Sequence, residues 1–196
     1  MAGTSGGVWR GGAVKLEPSG RGSPRPYIIQ RFSTIPIMNS LKVRFGLPEH
    51  GWIALTIENG SLKACIDADS RFEAFDELIE ALRSMHSGEE NAVATWYEEP
   101  NLTELHFQQT PEKIQLSCVN TRIYDLADQS SDQSFVVEGR YGEICLPFVQ
   151  ALLVLRKAVA GKRWLKLAQD DFPEDEFQEF LELLKADPEL ELQLKM

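Results

Sequence analysis

Residues 52–66 read WIALTIENGSLKACI and encode a β-hairpin. The central dipeptide, Asn59-Gly60, tolerates positive φ at both central positions of a type I′ turn. A two-residue loop at this point predicts three apolar cross-strand pairs: Ile57 with Leu62, Leu55 with Ala64, and Ile53 with Ile66. The opposite face then carries two further pairs: Thr56 with Lys63, and Trp52 with Asp67. We therefore expect a hairpin with one face in the hydrophobic core.

The segment before the hairpin predicts a further strand. Leu41, Val43 and Phe45 alternate with Lys42 and Arg44, which is typical of a strand with one buried face.

An amphipathic helix is predicted after the hairpin. Ser70 and Glu73 have the spacing of a capping box, in which each side chain accepts a hydrogen bond from the other residue's backbone N–H. Apolar residues then recur at helical spacing, and Gly88 is a typical stop signal. These apolar residues are Phe72, Phe75, Leu78, Ile79, Leu82 and Met85.

The rest of the chain continues as strands and helices. Strands are predicted at residues 92–97, 103–107, 113–119 and 135–141, with a polar loop at 125–134. One helix opens at Pro147 and continues to Gly161. Another begins near Pro173 and ends at Asp187-Pro188.

The last residues predict one more strand, because Leu190, Leu192 and Leu194 alternate with polar residues. Runs of adjacent strands interrupted by a few helices are typical of α+β proteins. The sequence therefore predicts an α+β fold: a mostly antiparallel sheet of about six to seven strands, with about three helices packed on it.

Residues 1–37 differ from the rest in composition, with seven glycines, four prolines and little apolar periodicity. Such a segment buries too little apolar area to offset chain entropy. We expect a disordered tail at residues 1–37 and a single α+β domain at residues 38–196. Two other interpretations stay open. The Arg-rich, acid-poor composition weakly suggests an organelle transit peptide, or the start codon is assigned too far upstream and Met38 is the true first residue.

Charge is unevenly distributed along the chain. Residues 1–37 carry a net charge of +4, whereas residues 38–196 carry 15 basic and 29 acidic side chains, a net charge of −14. Nucleic-acid affinity depends on basic groups that displace condensed counterions, so we expect no binding of DNA or RNA. A basic protein surface fits this charge better. No apolar run approaches the roughly 18 residues of a membrane-spanning helix, so no membrane association is expected.

The three cysteines, Cys65, Cys118 and Cys145, are widely spaced and include no C-x-x-C pair. Disulfide frameworks and zinc sites need closer, paired spacing. We therefore expect buried free thiols, a reducing compartment and a cytoplasmic location. Motifs for phosphate binding, dinucleotide binding, serine hydrolases and zinc proteases are all absent, so we expect no cofactor and no metal ion.

An acidic run is the main charged feature. It comprises Asp170, Asp171, Glu174, Asp175, Glu176, Glu179 and Glu182. This run fits an acidic face for a basic partner, and it also fits the solvated face of a helix whose N-terminal dipole favours carboxylates. A basic stretch lies just upstream: Arg156, Lys157, Lys162, Arg163 and Lys166, with Trp164 among them. Basic and aromatic residues together can bind single-stranded nucleic acid, but the acidic neighbours argue against that function.

A second candidate site lies around Glu98, Glu99, Glu104 and His106. Glu104 and His106 project from the same face of one predicted strand, and the other two begin the adjoining turn. A carboxylate beside an imidazole is the minimum for general acid–base catalysis, but an ordinary exposed strand face looks the same.

The interpretation that accounts best for these features is a small interaction module that binds a basic partner surface or self-associates. Its partner-binding residues would be Asp171, Glu174, Asp175, Glu176, Glu179 and Glu182. One alternative is a small-ligand-binding protein or enzyme with a site around Glu98, Glu99, Glu104 and His106. Another is a structural subunit that pairs through its C-terminal strand. The absence of catalytic motifs favours a binding role over an enzymatic one.

Overall fold

The computed structural model describes residues 40–69, 73–122, 132–160 and 172–194. These residues form an α+β fold with seven strands and five helices. The strands are β1 (Lys42–Phe45), β2 (Trp52–Asn59), β3 (Leu62–Asp69), β4 (Asn91–Glu98), β5 (Asn101–Gln109), β6 (Ile114–Arg122) and β7 (Asp132–Gly139). The helices are α1 (Ala74–Ser87), α2 (Tyr141–Ile144), α3 (Leu146–Val159), α4 (Glu174–Lys185) and α5 (Pro188–Leu194).

The strands form two antiparallel sheets instead of the one sheet predicted. β1, β2 and β3 make a three-stranded sheet in that order, and β4 to β7 make a four-stranded sheet in chain order. α1 connects the two sheets. The tail predicted at residues 1–37 lies outside the described residues.

The hairpin is confirmed, but its predicted register is wrong by two residues. Asn59 pairs with Leu62, so the two-residue loop is Gly60-Ser61. Gly60 has a φ of 60° and Ser61 has no positive φ, as in a type II′ turn, which places glycine first. A shift of two residues keeps every side chain on its own face. The core-facing pairs become Ile57 with Ala64, Leu55 with Ile66, and Ile53 with Ala68.

The C-terminal strand predicted at residues 190–194 is wrong, because this segment forms helix α5. Pro188 begins the helix, and the carboxylate of Asp187 accepts a hydrogen bond from the backbone N–H of Glu189 at 2.9 Å. Leu190 is 7% exposed whereas Leu192 is 70% exposed. The alternative of a subunit that pairs through this strand therefore loses its basis.

The other elements agree with the sequence in type and differ at their ends. α1 begins at Ala74, and the capping partner predicted at Ser70 lies outside the described residues. α3 carries Pro147 in its first turn as predicted. The strand predicted to reach Tyr141 stops at Gly139, and Tyr141 instead opens the short helix α2.

One hydrophobic core joins both sheets and the helices. Trp96 of β4 is fully buried in it and packs against the rings of Phe45 and Phe75, at centroid distances of 6.0 and 5.6 Å. α4 faces the same core with Phe177 and Phe180, which are also fully buried. None of the described helices is long and apolar enough to cross a bilayer.

Candidate functional site

An open cleft of about 700 Å³ lies where the first turns of α1 and α4 meet. Its described lining consists of Glu73, Asp76, Phe172, Pro173, Glu174, Asp175 and Glu176. We call these residues the acidic cleft. Every charged side chain in this lining is a carboxylate, and all five carboxylates are exposed. The sequence found three of the five and missed the two contributed from the α1 end.

Aromatic packing brings the two first turns together. The ring of Phe172 lies 5.9 Å from that of Phe75 on α1 and 5.6 Å from that of Phe177 on α4, measured between centroids. The apolar faces of both helices are thereby turned inward. Carboxylates in the first turns are favoured by the positive end of each helix dipole, so the charge of the acidic cleft also suits the local structure.

Two of the predicted acidic residues on α4 have a cationic partner. Oε1 of Glu174 lies 3.0 Å from Nη1 of Arg156, and Oε1 of Glu182 lies 2.8 Å from Nζ of Lys185. The hydrogen bond from Lys185 lowers the pKa of the Glu182 carboxyl. Glu179 is exposed, and Asp170 and Asp171 lie outside the described residues. Asp175 and Glu176 therefore remain as the α4 carboxylates of the acidic cleft without an ion pair to any described residue.

Only the start of the predicted basic stretch is described. The guanidinium of Arg156 lies 5.2 Å above the centre of the Phe177 ring while it pairs with Glu174. This arginine thus serves the packing of α3 against α4. Lys157 is exposed, and the remaining members, Lys162, Arg163, Trp164 and Lys166, lie outside the described residues.

Glu104 and His106 are joined on β5, with 3.0 Å between the Glu104 carboxylate and Nε2 of His106. Both side chains are partly exposed on the outer face of the four-stranded sheet. They lie at alternate positions to Thr103 and Leu105, which are buried on the core side. A carboxylate and an imidazole are therefore brought together, as the sequence predicts.

The other two residues of that candidate site do not join this pair. Glu98 lies on the opposite face of the sheet, where it accepts hydrogen bonds from the hydroxyl of Thr103 and from the backbone N–H of Asp67. Asn120 donates to the same hydroxyl at 3.0 Å. Glu99 is exposed in the turn after β4. The four residues therefore do not converge, and among them the structure brings only Glu104 and His106 together.

The two buried cysteines, Cys118 and Cys145, are not activated nucleophiles. Burial raises the pKa of the Cys118 thiol to about 12 and raises the pKa of Cys145 as well, so both stay protonated near neutral pH. Cys65 is exposed, which makes the prediction of three buried thiols wrong at this position. It alternates with the buried Ala64 and Ile66 on β3, so the strand period points it outward. In the described part of the chain, no three His, Cys, Asp or Glu side chains are placed to hold a metal ion.

A second cleft, of about 300 Å³, lies between the end of α1, α2 and α5. There the His86 ring meets the Tyr141 ring edge-on at 5.5 Å, and Nε2 of His86 lies 3.8 Å from the carboxylate of Asp187. The Tyr141 hydroxyl donates to the backbone carbonyl of Leu82 at 3.1 Å, and burial raises the tyrosine pKa. A backbone hydrogen bond from Arg140 lowers the pKa of Glu143.

These contacts hold the end of α1, α2 and the residue before α5 against one another. No sequence motif links these residues, and sequence reasoning missed the cleft for that reason.

The chain matches no known protein family, no curated protein and no solved structure.

Proposed function

We propose that the protein is an interaction module whose acidic cleft binds lysine or arginine side chains of a partner protein. The observation that supports this function is the convergence of five exposed carboxylates from two helices on one concave surface. The charge of the whole chain has the same sign, with a formal net charge of −10.

The shape of the acidic cleft favours long basic side chains. The half-buried ring of Phe172 lies beside the carboxylates. Lysine and arginine can lay their methylene stems on such apolar surface while the charged end reaches the carboxylates. A phosphate backbone would instead meet like charge, so the proposed partner is a protein with a basic surface.

The expected binding is fast and depends on salt. A single exposed ion pair contributes only about 0–1 kcal/mol. Several like charges in one cleft can raise association rates by a factor of about 10 to 1,000 at low ionic strength. Much of the effect of the acidic cleft should therefore appear in the association rate.

An affinity capture with matched variants tests this function. Full-length protein is immobilised, exposed to lysate of the source organism at low salt and washed at high salt, and released proteins are identified by mass spectrometry. One variant removes three charges in the acidic cleft, through Glu73→Gln, Asp175→Asn and Glu176→Gln. The control removes three exposed charges elsewhere, through Glu89→Gln, Glu90→Gln and Glu112→Gln.

The proposal predicts at least one basic protein that the wild type and the control retain, that high salt releases, and that the acidic-cleft variant does not retain. Equal retention by the two variants would contradict it. A column that retains no protein would contradict it as well.

A further inference from the structure

Among the described residues, β1 is an edge strand of the three-stranded sheet. The backbone N–H of Gly46 donates to the carbonyl of Ala54 at 2.7 Å, and the register then pairs Arg44 with Thr56. In an antiparallel ladder, alternate residues direct their N–H and C=O groups to the partner strand, and the residues between them direct theirs away. The backbone groups of Val43 and Phe45 therefore point away from β2, and no described residue pairs with them.

A mainly apolar groove of about 440 Å³ runs beside this edge, between β1 and α3. α3 contributes Pro147, Gln150, Ala151 and Val154 to its lining. Val154 is 69% exposed, so α3 presents an apolar side chain to solvent next to this strand edge.

The exposed side chains of β1 are basic. Lys42 has no ion-pair partner among the described residues, and Arg44 keeps 63% of its side chain exposed although it lies 2.9 Å from Glu58. The edge thus combines three features: backbone groups that no described residue pairs, apolar surface on the core side and positive charge on the solvent side.

We propose that this edge binds an extended segment of a partner protein in which apolar and acidic side chains alternate. The segment would add a strand to the three-stranded sheet through hydrogen bonds to Val43 and Phe45. Side chains of an added strand alternate between the two faces of the sheet. Its apolar side chains would lie in the groove against Ala151 and Val154, and its acidic ones would lie beside Lys42 and Arg44.

Charge selects this occupant over two others. A second copy that paired through the same strand would place Lys42 and Arg44 close to their own counterparts, and like charges on neighbouring strands are destabilising. Residues 1–37 of the chain itself carry a net charge of +4, which does not complement a basic edge. None of the residues that form this surface lines the acidic cleft, so either proposal can fail without the other.

Amide hydrogen exchange on the full-length chain tests the proposal, with a short peptide of alternating valine and glutamate as the probe. In the chain alone, we expect the amides of Val43 and Phe45 to exchange quickly and those of Arg44 and Gly46 to exchange slowly. The peptide should slow exchange at Val43 and Phe45 by at least about tenfold. A peptide of alternating valine and lysine should not.

Two variants sharpen the test. Val43→Pro removes a donor that faces away from β2, a position at which an edge strand tolerates proline. Val154→Asp places a negative charge in the groove, and its control is Leu192→Asp, at a leucine of nearly equal exposure on α5. Val43→Pro and Val154→Asp should each weaken peptide binding by about tenfold or more, and Leu192→Asp should bind the peptide as the wild type does. If Val43→Pro fails to fold, the comparison of Val154→Asp with Leu192→Asp still tests the proposal.

Three results would overturn the proposal. The first is a peptide that protects neither amide, and the second is equal binding by Val154→Asp and its control. The third is slow exchange at Val43 and Phe45 in the chain alone. If the slow exchange did not change with protein concentration, the chain's own residues would cover the edge. If exchange slowed further as the concentration rose, a second copy would cover it.

Discussion

Nη2 of Arg83 donates a hydrogen bond to the backbone carbonyl of Glu176 at 3.1 Å. The two residues lie 93 positions apart, on α1 and in the first turn of α4. Nη1 of the same guanidinium lies 3.8 Å from Glu80 on α1. This contact holds the acidic first turn of α4 beside α1, and the acidic cleft exists because these two helices meet.

Replacement of Arg83 should loosen this junction. Arg83→Met removes the hydrogen bond to the carbonyl of Glu176, so we expect the free energy of unfolding to fall by about 1–2 kcal/mol. Arg44→Met breaks the more exposed pair with Glu58 and should cost less than about 1 kcal/mol. Urea denaturation of both variants measures the difference. Equal losses would mean that Arg83 contributes no more than a surface ion pair.

The helical C-terminus predicts unequal effects at two neighbouring leucines. Leu190→Ala removes a buried side chain of α5 and should lower the free energy of unfolding by about 2–3 kcal/mol. Leu192→Ala changes an exposed side chain and should stay within about 0.5 kcal/mol of the wild type. In a strand the two leucines would share one face, so similar losses at both positions would contradict the helix.

The hairpin register predicts which engineered cysteine pairs with Cys65. Thr56 lies directly opposite Cys65 on β2, and Thr56→Cys should form a disulfide under mild oxidation because such cross-strand pairs come close. In the register expected from Asn59-Gly60, Ala54 would lie opposite Cys65 instead. Ala54→Cys is therefore the matched variant. Mass spectrometry measures the rate of disulfide formation in both variants. Faster formation in Ala54→Cys than in Thr56→Cys would refute the observed pairing.

These two elements show what local pattern can and cannot determine. Alternating apolar residues assign the faces of β2 and β3 correctly, because a shift of two residues leaves each side chain on its face. Asn59-Gly60 and Gly60-Ser61 both place a glycine in the two-residue loop. The sequence alone does not distinguish these two turns, and the turn predicted from it was wrong. Leu190 and Leu194 fit helical spacing as well as strand spacing, and burial against the core favours the helix.

The residues of the candidate sites likewise include some that the sequence predicted and some that it did not. The carboxylates of α4 are contiguous in sequence and were predicted, whereas Glu73 and Asp76 join them only because α1 and α4 meet in space. The prediction of Glu98 beside Glu104 and His106 failed to anticipate that strand alternation places Glu98 on the other face of its sheet. The packing of α1 against α4 decides the first outcome, and the β4–β5 register decides the second.

Stability should fall at alkaline pH. Burial raises the pKa of Cys118 from 9.0 to about 12, and it also raises the pKa values of Cys145 and Tyr141. The unfolded chain releases these protons at lower pH than the folded protein does. The resulting stabilisation is complete below about pH 9 and is lost as pH rises toward 12, by up to about 1.4 kcal/mol per pH unit for each group.

Urea denaturation between about pH 8 and pH 11 measures this loss. Cys118→Ala should make the decline shallower, and the control Cys65→Ala, at an exposed thiol, should leave it unchanged. A decline of the same slope in all three proteins would show that Cys118 does not contribute.

The binding of basic side chains by the acidic cleft is tested most directly by a nuclear magnetic resonance titration of the full-length chain with a lysine-rich peptide. We predict that the amide resonances of residues 73–76, 172 and 174–176 shift first. The variant with Glu73→Gln, Asp175→Asn and Glu176→Gln should bind about tenfold more weakly. The control with Glu89→Gln, Glu90→Gln and Glu112→Gln should bind as the wild type does. Shifts spread over all exposed carboxylates, with both variants weakened equally, would contradict the account.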